Sequence, residues 1–354
     1  MWWWFAALVA LTGCDQVLGL SRGPGTSKPI EIHPSTTTAL DDFTVAVVLS
    51  NDADLAAHSR GDGHDLFFTG DDGTELPSEL EAFDVTTGTL AAWVRLPSLA
   101  GAPTTTTIHL HFGTDHGPPG LPADTWSTAA GAIWHFGDAG LDRALDSTPN
   151  ANTLRSSDPG DPPAIVPGIV GTARAFDGTA SQLAAVTSAS LDGGSHAFTY
   201  TLWVNVTSSA GVDDLVLYKG GASTTDAGYD IELGTSAWSA FVRGSGGGSA
   251  AEFEFGTEAS LKNRWTFLAT VVDRDAGVLR GYTDGATVAA DARLAQIGTI
   301  STPTPFQLSW TSHPFRGSVD EVEIYERALP AEWIVTEYDN LAHPETFLTV
   351  GAAE

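Results

Sequence analysis

Along most of this chain, apolar residues fall at every second position. In "DDFTVAVVLS", Phe43, Val45, Val47 and Leu49 share a face, as do Ala92, Val94 and Leu96 in "LAAWVRLPSL" and Ile108, Leu110 and Phe112 in "TTTTIHLHFG". Further on, Phe198, Tyr200, Leu202 and Val204 alternate with Thr199, Thr201, Trp203 and Asn205, and Trp265, Phe267, Ala269 and Val271 repeat the rhythm. A period of two is the strand period, because successive Cβ atoms point to opposite faces of a sheet. Turn clusters such as "RGDGHD" and "GDDGTELPSE" separate the runs. Only "LPAEWIVTEYD" departs from the pattern and reads as one short helix. The pattern predicts an all-β chain: an N-terminal β-sandwich-like module followed by a jelly-roll sandwich.

The proline-rich stretch "HGPPGLPADTW" is the best domain boundary. The expected division is 1–14 an apolar leader, 15–27 a polar tether, 28–115 the first module, 116–127 a linker, 128–342 the jelly roll and 343–354 a tail. The 16 lysines and arginines against 44 acids give a net charge of −28. Such a field repels a phosphate backbone, so the expectation is that nucleic acid is not a partner. The single cysteine, Cys14, excludes an internal disulfide.

Three resemblances organise the chain. "MWWWFAALVALTGC" carries about a dozen apolar residues, short of the roughly 20 that span a bilayer, and ends in Leu11-Thr12-Gly13-Cys14. It resembles the lipobox of a bacterial lipoprotein signal peptide. That resemblance implies lipidation of Cys14, attachment to a membrane through the lipid and display on the bacterial cell envelope. "ALDDFTVAVVLS", "GHDLFFTGDDGTELPSELEAFD", "AAWVRLPSL" and "TIHLHFGTD" resemble the bacterial domain-of-unknown-function family 2341. From about Ala132 to Tyr338 the ordered set Phe176-Asp177-Gly178, Trp203, Trp265, Tyr282-Thr283-Asp284-Gly285 and Gly317 to Tyr325 resembles a LamG-like domain of the concanavalin A-like lectin/glucanase superfamily.

These resemblances imply non-catalytic recognition of a polysaccharide or a surface protein. They also imply one structural Ca2+ at Asp320, with Asp177 and Asp146 as partners; the alternative is that these aspartates cap turns. Trp238 and Trp310, in or near loops, are the candidate sugar-stacking faces, whereas Trp203 and Trp265 are expected in the core. His109 and His111 alternate onto one strand face with Asp115 and His116 beyond, a donor set suited to zinc or, alternatively, a surface aromatic pair.

"FRGSVDEVEIYERALPAEW" places Glu321 and Glu323 two residues apart, and retaining glycosidases need carboxyls about 5 Å apart. A glucanase-like hydrolase using both is therefore an alternative. The preferred reading makes them solvated charges on a closing strand, with Val322 and Ile324 facing the core, Asp320 at the sandwich rim and no catalytic residue assigned. A purely structural or adhesive envelope component is a further alternative.

Overall fold

The computed structural model describes residues 25–354 except 139, 209–213, 221–225, 235 and 246–249. Cys14, the lipobox and most of the tether lie outside the described residues. Among the described residues no helix is long and apolar enough to cross a membrane.

The chain is all-β, as the alternation predicts, and among the described residues its strands form four antiparallel sheets. In the first module, Leu40–Leu49, Thr89–Leu99 and Ser78–Asp84 make a three-stranded sheet. A five-stranded sheet packs with it, built around Thr26–Ile32 and Thr106–Phe112. Phe43, Val45, Val47, Leu49, Ala92, Val94, Leu96, Ile108, Leu110 and Phe112 are all buried. The tail contributes too: Leu348–Val350 pairs antiparallel with Thr26–Ile32, Ile30 opposite Val350. The end of the chain therefore completes a sheet of the first module.

Two larger sheets form the second sandwich. One runs through Ala237–Arg243, Gly228–Leu233, Asp214–Gly220, Phe306–Leu308 and Leu183–Ala185. The other is centred on Arg316–Tyr325, which pairs with Phe198–Val206 on one side and with Thr172–Asp177 and Ala130–Trp134 on the other. Between them lies a core that includes Trp134, Phe176, Tyr200, Leu202, Tyr229, Ile231, Leu268, Phe306, Val322 and Ile324.

The second of these sheets is buried on both faces. Its outer side presents Trp203, Phe267, Ala269, Val271 and Tyr325, and these join one continuous apolar cluster with the first module and the helix Ala331–Ala342. Trp265, expected in the core, is only half-buried at the margin of this cluster. The helix is wedged between the modules. Trp333 meets Phe43 edge-on at 4.9 Å and Tyr325 at 5.8 Å, while Tyr338 stacks on Trp203 at 5.8 Å. Asn340 accepts from the Ala46 N–H at 2.7 Å and donates to the Ala46 carbonyl at 2.9 Å, so one amide answers both backbone groups of a buried residue.

This second layer corrects the reading of the closing strand. Val322 and Ile324 face the inner core as expected, but Asp320, expected at the rim, and Glu321 and Glu323, expected in water, are all buried. The outward side of their strand faces the first module and the helix, not water. Strict alternation also breaks: Asp320 pairs with Trp203 and Glu323 with Thr201, so Glu321 is the extra residue of a β-bulge, at φ +45°.

Candidate functional site

Two places in this fold concentrate chemistry. The first is the junction between the modules. Glu79 and Glu81 lie on Ser78–Asp84, and the register slips between Leu80 and Ala82, so Glu81 is a bulge residue as well. His135 follows the strand Ala130–Trp134. Its Nδ1 lies 2.7 Å from Glu321 Oε2, and its Nε2 lies 3.6 Å from Glu79 Oε2, too far for a hydrogen bond. The imidazole stacks on Trp93 at 4.7 Å and sits 5.3 Å from Trp126. Those indoles donate in turn to the acids, Trp93 to Glu81 Oε2 at 2.9 Å and Trp126 to Glu79 Oε2 at 2.8 Å. Ser147 donates to Glu79 Oε1 at 2.7 Å.

The electrostatics follow from burial and from the shortage of cations. Burial opposes a charged imidazole, but Glu321 and Glu79 overcome it and hold the His135 pKa well above its usual 6.5. Burial raises Glu79 too, yet His135, Trp126 and Ser147 bring it below the ordinary value. Burial, reinforced by Glu81, pushes Asp320 well up. Burial likewise raises Glu321, with His135 pulling down and Glu81 and Asp320 pushing further up. A cavity of about 240 Å³ opens beside this group, lined in part by Glu79, Glu81, His135, Asp138, Asp146 and Ser147.

The predicted calcium aspartates occupy three settings. Asp320 Oδ2 accepts from the backbone N–H groups of Ile169 at 2.7 Å and Val170 at 3.3 Å. Asp146 lines the cavity but accepts from Ile133, Thr148 and Asn152 N–H groups. Asp177 accepts from Thr179 N–H and Ser181 Oγ in an exposed turn. Each of the three carboxylates is thus held by at least one backbone N–H group. The histidine face does not converge either. His111 bonds Thr69 Oγ1 at 2.9 Å, His109 approaches Asp71 at 3.3 Å, His116 approaches Glu75 at 3.2 Å, and Phe67 stacks with His111 and His116.

The second place is the outer face of the sheet that contains Asp214–Gly220. Gln307, Tyr218, Asp230 and Phe241 stand opposite one another across four strands and so share that face. Trp310 is half-buried and stacks on Tyr218, rings 5.1 Å apart and 8° from parallel, with His313 stacked on its indole at 5.1 Å. Arg243 lies 4.6 Å over the Phe241 ring and bonds Asp230. Gln182 bonds Gln307, and Ser157 donates to Gln182 at 3.2 Å. Burial, partly offset by Arg243, raises Asp230 to about 7. Trp238 is not on this face. It is buried, edge-on to Phe315 at 5.9 Å, in the sandwich core; the alternation of its own strand turns it inward. Glu79, Glu81 and His135 escaped the sequence pattern, since the two glutamates sit in an ordinary-looking strand and His135 directly after one; the neighbouring Trp93 and Trp126 were the available signal.

The fold is an all-β sandwich that contains a concanavalin A-like domain. Residues 177–335 match the concanavalin A-like lectin/glucanases superfamily, so the chain carries a domain of that kind. No curated protein matches the sequence. Among solved structures, the binding domain of Paraclostridial Mosquitocidal Protein 1 is similar at 14% identity and a TM-score of 0.51, covering 61% of this chain and 53% of that one. The botulinum neurotoxin serotype G binding domain is similar at 13% identity and a TM-score of 0.47, covering 59% and 50%. The chain thus spans about half the length of the structures it matches. These likenesses concern the fold.

Proposed function

We propose that this chain is a non-catalytic binding protein of the bacterial cell envelope, held by a lipid on Cys14, whose jelly roll recognises a polysaccharide. The observation that carries the reading is the Trp310–Tyr218 stack beside Gln307, Asp230 and Arg243. Trp310 is the half-exposed ring of this stack, with Tyr218, Gln307 and Asp230 buried behind it; an exposed indole face beside polar groups suits a sugar ring, which has an apolar face and a hydroxyl edge. The similar mosquitocidal structure is itself described as a binding domain. The family-2341-like module serves as a platform for the jelly roll, and a structural Ca2+ at Asp320 remains part of this reading.

What weighs for binding over the hydrolase alternative is that Glu321 and Glu323 are buried, and that Glu323 accepts from Tyr325 OH at 2.8 Å. An array of bacterial and plant polysaccharides, probed with the full chain with Ca2+ and with chelator, tests the proposal. Binding to a restricted set of glycans, reduced by Trp310→Ala, supports it. Uniform silence of the array under both conditions, or capture of a surface protein instead, overturns it. Signal lost with chelator supports the calcium clause, and signal indifferent to chelator removes that clause.

A further inference from the structure

The junction acids pose a problem of charge. Glu79, Glu81, Asp320 and Glu321 gather around a single imidazole. Among the described residues, Glu81, His135 and Glu321 are the one group of three potential ligands whose donor atoms all lie within 4.8 Å of one another. Three buried atoms of this group have no hydrogen-bond partner: Glu81 Oε1, His135 Nε2 and Glu321 Oε1. His135 and Glu321 are 5% and 2% exposed, so bulk solvent hardly reaches them.

The surrounding backbone is cut back to make room. A Cβ on Gly171, which has φ +49°, would sit 2.4 Å from Glu81 Oε1, and one on Gly137 would sit 3.2 Å from the Glu81 Cγ. A Cβ on Gly168 would fall 2.2 Å from Asp320 Oδ2. Glycines thus leave the carboxylates space, and the cavity gives access to Glu81 and His135.

From these observations we infer that Glu81, His135 and Glu321 bind one divalent transition-metal ion of the zinc class at the junction of the two modules. The donor set decides the class. An imidazole nitrogen with two carboxylates suits Zn2+ and its neighbours, whereas Ca2+ and Mg2+ take oxygen ligands. Metal bonds of about 2.0–2.2 Å require the three donors to draw together by roughly an ångström. Glu81, on its bulge at the cavity edge, supplies that movement. Water in the cavity takes the remaining position. Because Glu81 belongs to the first module and His135 and Glu321 to the second, the ion fastens one to the other.

The test uses the full chain stripped with chelator, titrated calorimetrically with ZnCl2 and followed by thermal unfolding. The expected result is one site per chain, a Tm that rises with Zn2+ but not with Mg2+, and at least about a tenfold weaker affinity in Glu81→Gln. Glu81→Gln keeps the bond from Trp93 and so preserves the fold; an apo Tm close to the parent's checks this. His109→Asn with His111→Asn controls for surface binding and should leave the site intact. Zinc binding that survives Glu81→Gln unchanged, binding lost in the surface-histidine control, or no Tm response to Zn2+ overturns the proposal.

Discussion

Glu81 and Glu321 are each the inserted residue of a β-bulge, one in each module, and their carboxylates come within 4.8 Å of one another. Two local irregularities that would each pass for a minor kink thus meet across the junction. A bulge re-aims a side chain that strict pleating would place elsewhere.

The first prediction concerns the aromatic ledge. Trp310→Ala removes the ring stacked on Tyr218 while leaving the inner core untouched. It should weaken glycan binding about tenfold, equivalent to about 1.4 kcal/mol, and lower stability by no more than about 1.5 kcal/mol. Calorimetry on the best array hit, alongside urea unfolding, separates the two effects.

Asn340 is the clearest fastening of helix to first module. Asn340→Ala leaves the buried N–H and carbonyl of Ala46 without their partner. Each orphaned group costs about 1–3 kcal/mol, so a loss of about 3 kcal/mol is expected. Urea denaturation measures it, and limited proteolysis should show the first module cut sooner.

Trp333 fills the seam between Phe43 and Tyr325 and is 3% exposed. Trp333→Ala should cost about 3–5 kcal/mol, in the range for large buried aromatics. A cost below 1 kcal/mol in chemical denaturation would mean that the helix does not hold the modules together.

Asp230 gives a pH dependence with a definite sign. Its carboxyl is raised from 3.8 to about 7 by burial, so the folded chain holds a proton that the unfolded chain has released. Its contribution is fully present below about pH 4 and declines as pH rises toward 7, by at most about 1.4 kcal/mol per pH unit. Asp230→Asn should flatten that part of the stability profile, measured by urea unfolding from pH 4 to 8.

The strands, their inward residues and the sandwich class were legible because a period of two survives wherever one face meets a core. Val322 and Ile324 were placed correctly for that reason. The same rule put Glu321 and Glu323 in water, since alternation reports that a face is different without saying what covers it. On the neighbouring strand Thr201 stands opposite Glu323, Trp203 opposite Asp320 and Thr199 opposite Tyr325, all three buried; the tryptophan on that polar-looking side was the sign of a second layer. The bulges at Glu81 and Glu321 left no local mark, because neither is a glycine and each fits an unbroken strand pattern. Trp238 misled for the opposite reason: a loop-proximal indole looks available until its strand's register turns it inward.

The pairing of Ile30 with Val350 has a consequence for how the chain is made. The earlier of these two strands waits, through roughly three hundred residues of synthesis, for its neighbour to exist. Until then its free edge is open to other chains, so a nascent or prematurely terminated product would need shielding until that partner strand arrives.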